Sequence, residues 1–405
     1  MAFKGTKCSP FNGTMLCMYD SNIDDIPTFK DKITASDGAA DDYFGLSLAV
    51  GSGRIVVGAY LDDDNGSSSG SAYIFDLDGN LINKIIASDG ASGDYFGRSV
   101  AVGSGRIVVG AYYDDDKGTN SGSAYIFDLD GNLITKITAS DGAYIFVFGC
   151  SVAVGSGRIV VGSYNGENDD GTNTGSAYIF DLNGNQISKI TTDDGNDDDM
   201  FGYSVAVGSG RIVVGAYLDD DNGSSSGSAY IFDLDGNLIT KITASDGASD
   251  DYFGCSVAVG SGRIVVGAYG DDDNGSSSGS AYIFDLDGNQ LAKITASDGS
   301  ISDTFGRSVA VGSGRIVVGV YLDDDKGSMS GSAYIFDLDG NQLNKITASD
   351  AAENDRFGCS VSVGSGRIVM GAYYDDDKGS SSGSAYIYET PDIITPFDVQ
   401  DWERI

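Results

Sequence analysis

Short runs of aspartate are the residues in this chain best suited to chemistry. Asp62, Asp63 and Asp64 stand together, followed by Asn65 and Gly66. The run recurs as Asp219, Asp220 and Asp221 with Asn222, and as Asp271, Asp272 and Asp273 with Asn274. Further copies stand at 114–116, 169–170, 323–325 and 375–377. Clustered carboxylate and amide oxygens suit a hard cation, and calcium takes roughly six to eight of them. Asp62, Asp64, Asn65, Asp219, Asp221, Asn222, Asp271, Asp273 and Asn274 are therefore candidate calcium ligands. The fit to a helix-flanked calcium loop is weak, because Leu61 and Ala72 stand at its first and last ligand positions. The same residues also suit solvated Asx turns that bond only their own backbone, and both readings stay open. Three copies carry Lys117, Lys326 or Lys378 in place of the asparagine, which neutralises charge by another route.

Catalysis finds less support. There is no histidine, which removes the commonest general base and transition-metal ligand. A polysaccharide-processing enzyme would need one specialised pair of carboxylates, and here the acidic loops repeat without one. The formal net charge is −36, from 24 basic and 60 acidic residues. Nucleic acid needs a basic footprint and is excluded as a partner. No apolar run reaches the ~18 residues of a membrane-spanning helix, so no membrane insertion is expected. The N-terminus lacks the apolar core of a signal peptide. Of five cysteines, Cys8 and Cys17 flank a short loop and could bridge, while Cys150, Cys255 and Cys359 share one repeat position and read as small buried spacers.

The acidic runs sit inside a repeat. Phe-Gly pairs begin at Phe44, Phe96, Phe148, Phe201, Phe253, Phe305 and Phe357, spaced by 52, 52, 53, 52, 52 and 52 residues. Seven copies at a near-constant period mean a repeat architecture. Each copy reads as four strands, taken from the first at 46–50, 54–60, 71–76 and 81–87. Asp78-Gly79 between apolar runs is a hairpin signal. Apolar residues on both faces of the middle strands say that both faces are covered. Such sheets stacked face to face are the blades of a β-propeller. The last copy lacks its fourth strand, and residues 29–36, FKDKITAS, match the missing segment. The expected fold is thus all-β: one seven-bladed propeller of four-stranded antiparallel blades over 29–388, closed by the N-terminal strand. Residues 1–28 and 389–405 are extensions.

The Phe-Gly pair, the VVGA run closing the second strand and the Gly-x-x-x-Gly-x-x-Tyr before the third resemble the FG-GAP repeat. That repeat builds the propeller of integrin α subunits and similar units in bacterial and phage surface proteins. The resemblance implies a non-enzymatic adhesion or assembly propeller that recognises protein or glycan on one loop face. It also implies an extracellular or virion-surface location. The chain departs from the family at Tyr60 and its six counterparts, where proline is usual. Between the first two strands it has only Gly51-Ser52-Gly53, so the calcium loop that many members carry there is missing.

Departures from the repeat mark candidate sites. The residue after Phe-Gly is Leu46, Arg98, Cys150, Tyr203, Cys255, Arg307 or Cys359, a variable ring expected at the channel mouth. Tyr144, Ile145, Phe146 and Val147 replace an acidic loop, and such bulky apolar residues either pack within the blade or form a partner-binding patch. Trp402 is a candidate anchor in a tail that, with residues 1–28, would dock the ring onto other subunits of a larger assembly. The arginines that open each second strand, Arg54 first, are expected to pair with Asp76 and its counterparts. A glycan-binding lectin with loop tyrosines stacking on sugars is the alternative function.

Overall fold

A computed structural model of the chain describes residues 6–11, 14–19, 26–142, 145–167, 172–192 and 195–390, the first two segments at the level of the backbone. Thr6–Phe11 and Thr14–Tyr19 form a separate two-stranded hairpin whose register sets Cys8 opposite Cys17. Among the described residues, all other strands belong to seven four-stranded antiparallel sheets. We label the strands of each blade a to d from the central channel outward. In blade 1 these are Ser47–Gly51, Arg54–Ala59, Ser71–Phe75 and Leu81–Ile85. They lie within two residues of the sequence expectation.

Local chemistry sets each strand boundary. Gly51 pairs with Arg54 across a two-residue turn, and Ser52 and Gly53 both have positive φ, 50° and 77°. That is the mirror-image turn which matches the twist of a hairpin. Between strands c and d, the Asp76 carboxylate accepts the amides of Asp78 and Asn80 and the side-chain amide of Asn80. Strand c is buried throughout, whereas strand d exposes Leu81 and Ile82 on the outer rim.

The core lies between blades. Val56, Ala72, Ile74 and Ile85 of blade 1 pack with Phe96, Ile107, Val109 and Tyr125 of blade 2. The Phe96 ring stands edge-on to Tyr125 at 5.3 Å and to Phe127 at 6.1 Å. Each such side chain contributes about 1.5–3 kcal/mol through burial. Backbone contact is equally close, because a Cβ on Gly58 would fall 2.0 Å from the carbonyl oxygen of Gly97 in the next blade. Glycine is the only residue that fits there.

Blade 7 shows how the ring closes. Thr28–Ile33 forms its outer strand and pairs with Ser384–Glu389, from Thr28 opposite Glu389 to Ile33 opposite Ala385. Ile33 and Ala35 then join Val369, Ala385 and Ile387 in the core shared with blade 1. Phe44 donates its amide to Ser382 across the seam at 3.0 Å, as Phe96 does to Ser69 at the next boundary.

One expectation is corrected. Arg54 does not pair with Asp76 of its own blade, whose carboxylate is taken by its turn. Its guanidinium crosses to the next blade, donating to the Leu129 carbonyl at 2.9 Å and to Asp130 at 3.1 Å. Arg158, Arg211 and Arg263 repeat the bridge to Asp235, Asp287 and Asp339. Arg367 reaches the Leu77 carbonyl across the seam. These arginines clamp blade to blade on the face that carries the tight turns.

Candidate functional site

The opposite face carries the long loops, where strands b and d end and strands c and a begin. Lys84, near the end of strand d in blade 1, is the centre of a polar cluster there. Its Nζ lies 2.7 Å from Asp37, 3.0 Å from Asp62 and 2.6 Å from Asp64. The Tyr73 hydroxyl donates to Asp37 at 2.7 Å and to Asp62 at 3.1 Å. Tyr73 runs from the core, where its ring meets Phe44, out to this cluster. Burial and the two carboxylates push its hydroxyl far above the usual range, so it stays a neutral donor. Burial works against the Lys84 charge, but the hydrogen bonds it donates to Asp37, Asp64 and Asp62 outweigh it and hold the ammonium protonated.

The cluster recurs around Lys136, Lys293 and Lys345, and at Lys32 in the closing strand. Three groups, Asp89 with Asp114 and Asp116, Asp246 with Asp271 and Asp273, and Asp350 with Asp375 and Asp377, bring one oxygen each to within 4.8 Å of one another. That spacing could hold a metal ion. In every one a lysine ammonium already sits on those oxygens, at 2.6–2.8 Å. The predicted pairs Asp62 with Asp64, Asp219 with Asp221, and Asp271 with Asp273 each meet on one lysine. The side-chain amides of Asn65 and Asn274 turn away and donate to the carbonyls of Ala87 and Ala296, and the Asn222 backbone N–H donates to the Ser226 hydroxyl. Asp62 forms an Asx turn by accepting the Asp64 amide at 3.1 Å, and Asp63 caps the loop by accepting the Ser68 amide at 2.6 Å. The lysine was the missed residue. Its recurrence before the last isoleucine of every d strand was the signal.

Inside this acidic ring the central channel opens into a cavity of about 700 Å³. The variable ring lines it as expected, with Leu46, Arg98, Cys150, Tyr203, Cys255, Arg307 and Cys359 all in the wall. The three cysteines are free, and burial pushes the Cys150 and Cys359 thiols up to about 11, which makes them inert spacers. Tyrosines at the ends of strand b, among them Tyr60, Tyr112 and Tyr373, stand beside them. Below lies a second, smaller cavity of about 260 Å³, lined mainly by valine and alanine residues.

Family comparison agrees with this geometry. The FG-GAP repeat matches seven times, over residues 27–75, 80–127, 132–180, 185–232, 237–284, 289–336 and 341–388. The chain belongs to the FG-GAP repeat family. Each FG-GAP unit runs from a strand d through the next blade's a, b and c, so the family's own unit crosses a blade boundary. No curated protein matches the chain. FG-GAP propellers are typically non-enzymatic.

The third FG-GAP unit corrects the expected apolar patch. Phe146 stands where the other repeats place a buried aspartate: Asp42, Asp94, Asp199, Asp251, Asp303 or Asp355. Phe146 fills that slot, packs against Tyr178 and is only 4% exposed. Val147 is 1% exposed. Burial within the blade therefore removes both from any partner surface. Ile145 stays exposed at 39%. Tyr144 and Trp402 lie outside the described residues. The buried aspartate has a cost in the other repeats. Burial, above all, pushes Asp42, Asp199, Asp251, Asp303 and Asp355 up to about 6. Each accepts a loop amide, as Asp42 does from Ala39.

Proposed function

We propose that this FG-GAP propeller is a non-enzymatic binding module whose ligand enters the channel mouth on the loop face. The observation that carries this reading is the cavity itself. Around it, the loop carboxylates are consumed by lysine, tyrosine and backbone amides, and near-identical blades offer no distinct site. The mouth is where the repeats differ, and it is concave and mixed polar and apolar, as ligand sites are. We also infer that lysine, not calcium, is the working cation of the acidic loops, because a metal ion would have to displace an ammonium already bound by three carboxylates.

An adhesive role suits the layout of the chain ends. Thr28 pairs with Glu389, so the chain enters and leaves the ring at one point on the turn face, opposite the mouth. Extensions there would tether the ring to a larger assembly, a particle or a cell surface while its mouth points outward. A glycan array probed with the intact chain and with a Tyr112→Ser/Tyr373→Ser chain tests the site. Signal that the double substitution removes supports it. Signal that survives places binding elsewhere, and an empty array turns the search to protein ligands.

A further inference from the structure

Resting on that reading, we propose that the channel mouth binds an acidic saccharide, with the sugar ring on tyrosine faces and its carboxylate on arginine. The wall contains Arg98, Arg307 and Arg356 and, among the described residues, no aspartate or glutamate. That is unexpected in a chain with 60 acidic residues and 24 basic ones. All three arginines are departures from the repeat. Arg98 and Arg307 stand where other copies carry Leu46, Tyr203 or cysteine, and Arg356 stands where others carry Tyr43, Tyr95 or Tyr252.

Their partners leave room for an anion. Arg54, Arg158, Arg211, Arg263 and Arg367 each reach a carboxylate. None of the three mouth arginines does among the described residues. They rest on aromatic rings instead. The Arg98 guanidinium lies 5.7 Å from the Tyr60 centroid, Arg307 lies 5.5 Å from Tyr269, and Arg356 lies 4.7 Å from Tyr374. Arg307 donates to the Tyr203 hydroxyl at 3.1 Å and Arg356 to that of Tyr373 at 2.6 Å. The Arg356 Nε is buried without a hydrogen-bond partner. Each guanidinium has five N–H donors in a fork that matches a carboxylate, and most of them remain unused here.

Ring stacking and surrounding charge narrow the ligand class. Flat tyrosine faces beside a charged fork suit a polar ring with one anionic group. The carboxylate-rich rim repels polyanions by its field, so a singly charged carboxylate is favoured over a phosphate or a heavily sulfated chain. A cavity of about 700 Å³ falls within the usual range for ligand sites.

Calorimetric titration of the intact chain with galacturonate, which carries a single carboxylate, and with neutral galactose tests the proposal, with inorganic sulfate and phosphate as free-anion arms. Galacturonate should bind at least about ten-fold more tightly than galactose, and Arg307→Met with Arg356→Met should remove that preference. Arg98, whose guanidinium makes no side-chain hydrogen bond among the described residues, provides a second variant, Arg98→Met, if the pair folds poorly. Equal affinity for the two sugars, or a preference that survives the arginine changes, overturns the acidic-ligand proposal while leaving the mouth as a site. Sulfate or phosphate binding as tightly as the acidic sugar overturns the saccharide half. Sugar binding that is unchanged by Tyr112→Ser/Tyr373→Ser overturns the proposed site as well, as does the absence of any binding.

Discussion

The Lys293 ammonium lies 2.8 Å from the Asp271 carboxylate and 2.7 Å from that of Asp273, so the chain supplies its own cation to an acidic loop. This predicts indifference to calcium. The melting temperature of the intact chain should be the same with calcium and with a chelator. Lys293→Met should behave differently, because it strands three carboxylates, Asp271 among the buried ones. Removing one partner of a buried ion pair costs about 3–5 kcal/mol, less where water reaches the cluster. Calcium should restore part of that loss in the variant by settling on the freed oxygens. Calorimetry checks both, and a calcium-dependent rise in the unaltered chain would sink the idea.

Close backbone approach predicts a sharp contrast between two glycines of one hairpin. A Cβ on Gly58 would meet the Gly97 oxygen at 2.0 Å and the Ser47 hydroxyl at 2.4 Å. Gly58→Ala must therefore push blade 2 outward, at a cost of about 3 kcal/mol. Gly53 needs its glycine only for a φ of 77°, and nothing lies within 4 Å of a Cβ there. Asparagine tolerates that region, so Gly53→Asn should shift the urea midpoint little. Equal losses at the two positions would refute the inter-blade explanation.

Acidity should first stabilise this protein. Five buried aspartates titrate near 6, against an ordinary value of 3.8. Between those values the folded state binds more protons than the unfolded one, so stability rises as the pH falls. Asp37, Asp89, Asp246 and Asp350 act in the opposite sense. Burial raises them, but lysine and tyrosine hydrogen bonds outweigh it and hold them low, and their contribution is lost below the ordinary carboxylate range. Melting temperature should therefore be higher near about pH 5 than near about pH 7.5. Asp251→Asn should raise stability near neutrality by on the order of 1 kcal/mol and flatten the slope, while still accepting the Ala248 amide. A steady fall from pH 7.5 to 5 would contradict the assignment.

Strand order, blade number and ring closure were legible because they follow from periodicity, and a missing copy of FKDKITAS is visible in letters alone. Pairing between side chains was not. Arg54 and Asp76 share a blade, but propeller stagger brings the next blade's turn nearer, and only coordinates show that. Lys84 was overlooked because one lysine in an outer strand reads as solvated. Its three aspartates come from two loops about 20 and 47 residues before it. Phe146 looked exposed because the same loop is acidic in the other repeats. The slot it fills is buried in every repeat, and six of them spend an aspartate there. The arginine-lined mouth was half legible: the variable ring gave Arg98 and Arg307, while Arg356 belonged to a different repeat position.

The closing strand predicts a clean division between two truncations. Deleting residues 1–25 leaves Thr28–Ile33 paired with Ser384–Glu389, and the ring should keep the melting temperature and elution volume of the intact chain. Deleting residues 1–33 removes Ile33 from the seam core and the Lys32 ammonium from Asp350, Asp375 and Asp377. It also bares the backbone donors and acceptors of Ser384–Glu389, and an unpaired edge recruits other chains. The shorter chain should melt lower and associate, read by light scattering after size exclusion. Because the defect is one vacant strand position, a synthetic peptide of residues 26–36 should fill it in trans and reverse the association. Association that the peptide leaves untouched would mean that the seam is held elsewhere.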